Sequence, residues 1–186
     1  MFPQLTTDRL VLREVQHGDL TSLCKHINNY KIAKMLSHVP FPYTREDGEW
    51  WVSHSIESPL STQTAWVLDH LGEFLGVVSV LDTLGEEPFL GYWVAEPHWN
   101  QGFASEAVAE AIRYCFEQLQ LKRLYSSALS ENEASLRVLR KSGFKDYGIG
   151  TASPRARQGE ELETTKLHLT KQEWEAEFLD IHLPNQ

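Results

Sequence analysis

Several common protein classes are excluded by what this chain has little of. Two cysteines in 186 residues, Cys24 and Cys115, make no disulfide framework, and both lie in stretches that read as helix, so free buried thiols are expected. Positive charge is scarce: 17 Lys+Arg against 26 Asp+Glu give a formal net charge of −9, with no Lys/Arg-rich run. Nucleic acid and anionic membrane surfaces are held by clustered cations, so neither is expected as a direct partner. The longest apolar run, Phe74 to Leu81, is broken by Gly76 and Ser79 and is far shorter than the ~20 residues of a bilayer span. Met1 to Asp8 lack the basic and apolar regions of an export signal. A soluble cytoplasmic protein is the expectation.

Familiar reaction signatures are also missing. There is no G-x-x-x-x-G-K-[ST] phosphate loop, and Gly148-Ile149-Gly150 lacks the third glycine of a dinucleotide fingerprint. No G-x-S-x-G nucleophile elbow occurs. The eight histidines never pair at three- or four-residue spacing on one helix, so no metal centre is expected.

What is present suits a folded core. Hydrophobic residues make up 41% and aromatics 11%, and the length predicts one domain over residues 1–186, since domains hold ~100–200 residues. Arg9 to Val15 alternates as a half-buried strand. Gly18-Asp19 ends it and caps a helix through Leu20, Leu23, Cys24 and Ile27. Val39-Pro40-Phe41-Pro42-Tyr43 is a loop, because closely spaced prolines deny helix and central strand alike. Thr44 opens a helix whose apolar content is Trp50, Trp51 and Ile56. Ala65–Leu68 and Phe74–Val80 form a hairpin through His70-Leu71-Gly72-Glu73, and Phe89–Val94 is a further strand. Ala104, Ala107, Val108, Ala111, Ile112, Cys115, Phe116 and Leu119 follow the helical template through two rounds, with Glu106, Glu110, Arg113 and Glu117 on the polar face. A strand follows over Leu121–Leu129, and then Ser130-Glu131-Asn132-Glu133 has capping-box spacing into a helix closed by Gly143. A Gly-rich turn region, a strand at Thr164–Leu169 and a helix opened by Thr170 complete the chain. The order β-α-α-β-β-β-α-β-α-β-β-α predicts an α/β (α+β) fold on one central mixed sheet with an antiparallel front half.

Glu96-Pro97-His98-Trp99-Asn100-Gln101-Gly102-Phe103-Ala104-Ser105 joins a strand to the strongest helix. A glycine and small residues there let backbone N–H groups approach an anion, and the helix N-terminus adds its unpaired donors and positive dipole end. A phosphate cradle is one reading; a glycine that only permits a tight turn is the other.

The run Leu90 to Ala107 resembles the acetyl-CoA motif of the GNAT superfamily of N-acetyltransferases. Asn132-Glu133-Ala134-Ser135, closing at Gly143-Phe144, resembles its second motif. Thr7 to Arg13 resembles its opening strand and Phe41-Pro42-Tyr43-Thr44 its acceptor-side loop, and the nearest branch is the ribosomal-protein serine/alanine N-terminal acetyltransferases, the RimJ/RimL type. The resemblance implies a mostly antiparallel sheet with splayed parallel strands and flanking helices. It implies acetyl-CoA as cosubstrate, with the backbone of Tyr92, Trp93 and Val94 on the pantetheine arm. The N–H groups of Gln101, Gly102, Phe103 and Ala104, with the Ser105 hydroxyl, would hold the pyrophosphate. Asn132 would lie near the thioester, or serve only as a helix cap, and Phe41 and Tyr43 would line the acceptor side.

Two departures stand out. The superfamily usually has Arg or Gln where Trp99 stands, so a phosphate contact is lost or passed to Asn100. Many members protonate the departing thiolate with a tyrosine, and its position here is Leu139. Ser135 resembles the serine that the ribosomal branch offers instead, and an exposed polar helix position is the plainer alternative.

The implied activity is direct attack of an amine on bound acetyl-CoA, with the N-terminal amine of a ribosomal protein as first choice. A small amine such as a polyamine, amino acid or aminoglycoside is the alternative, and a non-catalytic acyl-CoA sensor is a third. Asp69, Glu73, Glu86, Glu87 and Glu96 are candidate general bases among which the sequence does not choose. The groove between Phe41-Pro42-Tyr43 and Ser153–Arg157 is expected to discriminate acceptors: open for a peptide, enclosed and acidic for a small amine. Arg137, Arg140 and Lys141 either reach the 3′-phosphate of CoA or form a solvated face. Trp50 and Trp51 belong either to the core or to an interface, so a homodimer stays open.

Overall fold

The computed structural model describes residues 1–178; the expectation that the domain runs to residue 186 extends past them. The strands are β1 (Leu5–Thr6), β2 (Val11–Glu14), β3 (Gln63–His70), β4 (Glu73–Leu81), β5 (Phe89–Val94), β6 (Arg123–Leu129), β7 (Lys145–Ala152) and β8 (Leu162–Thr170). The helices are α1 (Leu20–Ile27), α2 (Tyr30–Ala33), α3 (Arg45–Glu57), α4 (Phe103–Glu117), α5 (Glu133–Lys141) and α6 (Lys171–Phe178). One sheet has the order β1-β2-β3-β4-β5-β6-β8-β7. Every neighbouring pair is antiparallel except β5 and β6.

Alternation along the strands builds two cores. Trp66 and Leu68 of β3 join a large cluster with α4, α5 and Trp174 of α6 on one face. Ala65 and Val67 join a smaller one with α1, α2 and α3 on the other, as a period of two requires. The β3–β4 hairpin turns on Leu71 (φ 55°) and Gly72 (φ 86°) between the pair His70 and Glu73, the two-residue primed turn whose twist matches the strands. Gly143 (φ 93°) ends α5, with the Phe144 amide donating to the Leu139 carbonyl at 3.1 Å, so Phe144 is buried as the C-terminal motif directs.

Three local expectations are corrected, and one left open is resolved. In α3 the buried residues are Gly48 and Val52; of the two tryptophans, Trp51 packs against the smaller core and Trp50 is 65% exposed. Gly48 decides that face, because a Cβ there would meet Cys24 Sγ at 2.5 Å and only glycine lets α1 and α3 approach so closely. Gly148 and Gly150 lie inside strand β7 rather than in a turn; at Gly150 the missing Cβ makes room for Lys166 of β8. The cap of α5 is Asn132, which accepts from the Ser135 amide at 3.2 Å, while Ser130 bonds to Thr165 instead. The Asp19 carboxylate does not cap α1. It accepts from the Gln16 amide and takes both arms of Arg13, whose Nε also reaches Asp69 at 2.9 Å. The four-residue α2 is too short for periodicity to reveal.

Asp19 is buried, and its bidentate bond to Arg13 ties β2 to β3 and the start of α1. Removing Asp19 leaves Arg13 with Asp69 as its carboxylate partner, so Asp19→Ala should lower unfolding free energy by about 1–3 kcal/mol, read by urea denaturation. At the other end, Thr170 and Glu173 form a capping box. The Thr170 hydroxyl, then Lys145 and the Thr170 amide, hold the Glu173 carboxyl at about 2 against 4.5 ordinarily. A depressed carboxyl contributes stability above its unfolded value and loses it as pH falls through the folded one. Glu173→Gln should therefore flatten acid destabilisation between pH 4.5 and about 2 in a pH series of melting curves.

Candidate active site

The two parallel strands meet at a single register position, Phe89 against Tyr125. The Tyr125 amide donates to the Pro88 carbonyl at 2.9 Å and the Ser126 hydroxyl to the Leu90 carbonyl at 2.8 Å; beyond that the strands part. The direction of the freed groups follows from the β4–β5 ladder. Antiparallel residues alternate between bonding the partner and turning away, and the Ala95 amide bonding Leu75 sets the phase. Residues 89, 91, 93 and 95 therefore turn to β4, and residues 90, 92 and 94 turn to the gap. The Val94 carbonyl there already accepts from the Trp99 indole at 2.7 Å. Both backbone groups of Tyr92 and the amide of Val94 are left facing the gap. Trp93, expected to offer its backbone, turns it to β4 and contributes its side chain to the cavity wall.

At the end of β5 the chain makes a short turn over Glu96–His98 and enters α4 through Asn100 (φ 59°) and Gly102 (φ 83°). Gly102 occupies the cap position and offers no side-chain cap. The first amide bonded inside the helix is that of Glu106, to the Gly102 carbonyl at 3.1 Å. The amides of Phe103, Ala104 and Ser105 thus form the unpaired N-terminal donors of a 15-residue helix, a geometry that favours an anion. Gln101 is exposed and directs its side chain to the Pro97 carbonyl.

The back of this turn is held by a segment about a hundred residues earlier. Arg9 donates through Nε to Glu106 at 2.7 Å and through Nη1 to the Gln101 carbonyl at 2.9 Å, with its guanidinium 4.4 Å over the Phe103 ring. The Arg9 amide and Thr7 hydroxyl complete the bonds to Glu106, at 2.9 and 2.6 Å. Burial pushes the Glu106 carboxyl up, but these three donors and the charge of Arg9 outweigh it and hold it below its ordinary value. Sequence reasoning assigned Glu106 to a solvated helix face and gave Arg9 no role. Nothing local signals their pairing.

Across the gap stands α5. Asn132 caps it, and Ser135, one turn on, lies 3.0 Å from the Tyr92 hydroxyl. Leu139 is fully buried beneath. Tyr92, Val94, Gly102, Phe103, Ala104, Ser105, Asn132 and Ser135 all border one cavity of about 1370 Å³. Tyr43 borders it from the other side and is buried. Phe41 does not: it is 42% exposed and packs on Tyr30 at 5.3 Å between centroids. The Arg155 amide donates to the Ser37 carbonyl at 3.2 Å, so the β7–β8 loop bridges over to the segment after α2. Arg157 ties the same loop to Glu131 and Glu160.

None of the five candidate carboxylates borders the cavity; its acidic residues are Glu131 and Glu133. Asp69 is held by Arg13, and Glu96 by Lys31 and Asn29. The bordering cations are Lys31, Lys34, Arg137 and Lys166, so the cavity is not the acidic pocket that a polycationic amine would favour. Arg140 is engaged by Asp146 at 2.7 Å. His98, unmarked in the sequence, borders the cavity with a buried Nε2 that lacks a hydrogen-bond partner among the described residues. Its neighbour, Glu73, lies 3.4 Å away without hydrogen-bond alignment. Among the described residues no helix is long and apolar enough to cross a membrane.

Known proteins are similar to this chain in sequence and fold. The N-acetyltransferase YoaA of Bacillus subtilis, itself uncharacterized, is 30% identical over 165 residues, covering 80% of this chain and 86% of its own. A Vibrio cholerae spermidine N-acetyltransferase solved with CoA and spermine superposes with a TM-score of 0.76 at 19% identity, over 90% of this chain and 99% of that one. A second Vibrio cholerae protein, provisionally described as a ribosomal-protein-serine acetyltransferase, gives 0.73 at 20% identity, over 91% and 99%. These two likenesses establish the fold alone. Residues 9–145 match the family model described as an acetyltransferase (GNAT) domain, and the chain therefore belongs to the GNAT family of N-acetyltransferases, acyltransferases that take acetyl-CoA as cosubstrate and an amine as acceptor.

Proposed function

We propose that the protein acetylates the N-terminal amine of a protein, with ribosomal proteins as first candidates, in the cytoplasm and without a covalent enzyme intermediate. The observation that carries this reading is one cavity bordered by both a half-paired strand and an uncapped helix N-terminus. Pantetheine is an extended chain bearing two amides, and the free groups of Tyr92 and Val94 suit it as an added strand suits an open sheet edge. The pyrophosphate fits the amides of Phe103, Ala104 and Ser105, with Gly102 leaving the approach open. The thioester then lies toward α5, where Ser135 donates a hydrogen bond to sulfur as charge develops on it, and Asn132 holds the Ser135 amide in place. Tyr43 and Trp93 line the acceptor side.

A terminal amine suits the acceptor side better than a polyamine does. Lys31, Lys34, Arg137 and Lys166 outnumber Glu131 and Glu133 around the cavity, so the bordering charges give a polycation little to bind. The second Vibrio cholerae neighbour is consistent with the choice of a serine terminus.

Two measurements test the reading. Gly102→Val places a branched side chain at φ 83° with its Cβ 3.3 Å from Arg9 Nη2. Left-handed backbone costs such a residue about 1–3 kcal/mol, so the turn relaxes away from the cradle geometry and calorimetry should register a ~5- to 150-fold loss of acetyl-CoA affinity; pantetheine and dephospho-CoA separate the contributions of the two halves. Unchanged affinity would remove the cradle from the site. In a CoA-release assay, a peptide beginning with serine or alanine should exceed spermidine in kcat/KM by about tenfold or more, equivalent to ~1.4 kcal/mol of transition-state preference. The reverse order would transfer the assignment to small amines.

A further inference from the structure

Tyr92 enters the site twice. Its backbone faces the gap between β5 and β6, and its side chain crosses to α5, where the hydroxyl lies 3.0 Å from Ser135 Oγ and 3.3 Å from the Ser135 carbonyl. A serine hydroxyl has one proton. If Ser135 directs that proton to Tyr92, none is left for a departing sulfur; if it accepts from Tyr92, the proton is free. The phenol likewise has one proton, and the Ser135 carbonyl at 3.3 Å is its longer, alternative acceptor; two features favour the phenol as donor to Oγ. A phenol is a stronger acid than an aliphatic alcohol and so the better donor of the pair. Burial, which outweighs the opposing effect of the contact with Ser135, also pushes Tyr92 up to about 12, so the phenol keeps its proton at neutral pH. The tyrosine ring packs against the main core and its oxygen is fixed against α5. The Asn132 side chain accepts the Ser135 amide from the opposite side, so the serine is held on both flanks.

We propose that Tyr92 is a positioning residue: its hydroxyl donates to Ser135 Oγ and turns the serine proton into the gap, toward the sulfur of bound CoA. This rests on the reading of Ser135 given above. In the reaction the amine lone pair forms the C–N bond and the C–S electron pair passes to sulfur. The thiolate is held by the Ser135 hydroxyl without full proton transfer, and the new amide loses its extra proton to water. A thiol of pKa ~8.5 is a far stronger acid than serine, so a hydrogen bond to the thiolate, rather than its protonation, is what Ser135 supplies.

The test uses the product thiol and needs no acceptor. Wild type, Tyr92→Phe, Ser135→Ala and the double variant are loaded with CoA, and the thiolate is followed by its ultraviolet absorbance across pH. A hydrogen bond to the charged form lowers a pKa, so in wild type the bound thiol should titrate about one unit below free CoA. Ser135→Ala should return it to the free value, Tyr92→Phe should remove at least half of the shift, and the double variant should match Ser135→Ala alone. A merely structural defect in Tyr92→Phe would weaken calorimetric CoA affinity equally at every pH, whereas loss of the hydrogen bond to sulfur deepens the weakening as pH rises through the titration of the bound thiol. A Tyr92→Phe protein that keeps the full shift overturns the proposal while leaving Ser135 its role. No shift in wild type, or an undiminished one in Ser135→Ala, overturns the reading of Ser135 and this inference with it.

Discussion

Two parallel strands that meet at one position and then diverge are the constraint around which this molecule is organised. A sheet normally satisfies the backbone of each interior strand on both sides. Here β5 is satisfied by β4 along its length and by β6 only at its start. The unpaired stretch is surrounded by core rather than by a sheet edge, so no second chain can add itself there to continue the sheet. An extended ligand with its own amides can. The same divergence sets the distance between α4 and α5, since one follows β5 and the other follows β6, and so it leaves room for a cavity through the middle of the domain.

Because the cradle has no side-chain cap, its shape must be imposed from behind. A helix that begins on glycine in a left-handed conformation gains nothing from a serine or aspartate at its first position. Arg9 substitutes for that support from the far side, with hydrogen bonds to Glu106 and the Gln101 carbonyl and a cation over Phe103. It also places positive charge near the turn, partly neutralised by Glu106. The amides on the front of the turn are kept clear of competing partners. Rigidity on one side and unsatisfied donors on the other are what anion recognition requires.

The parts legible in the sequence are those specified by neighbours along the chain. The apolar spacing of α4, the Leu71-Gly72 turn and the cap glycine at 143 depend on a few consecutive residues, and each appears where its pattern places it. The resemblance to family motifs led to the segments that converge on the cavity. What stayed hidden depends on contacts between distant segments. The buried face of α3 is chosen by the fit of Gly48 against Cys24, a contact that competes with the stronger hydrophobicity of Trp50. The two glycines of β7 resemble turn residues until Lys166 of the neighbouring strand is seen to occupy the space above one of them. The Trp99 indole donates to the Val94 carbonyl at the end of β5, a contact that no motif marks. The turning of the Trp93 backbone depends on ladder phase, which a sequence does not carry.

The separation between Thr7–Arg9 and Gln101–Glu106 also bears on how the protein reaches its working form. Contacts so far apart in the chain form only after the intervening segment has condensed, because closing a long loop costs entropy that local pairing does not. The β3–β4 hairpin and helix α4 can each begin from residues near at hand. The docking of Thr7 and Arg9 onto α4 comes after them. The turn at the start of α4 thus takes its last support from a segment far away in the chain, and its shape is coupled to the maturity of the whole fold.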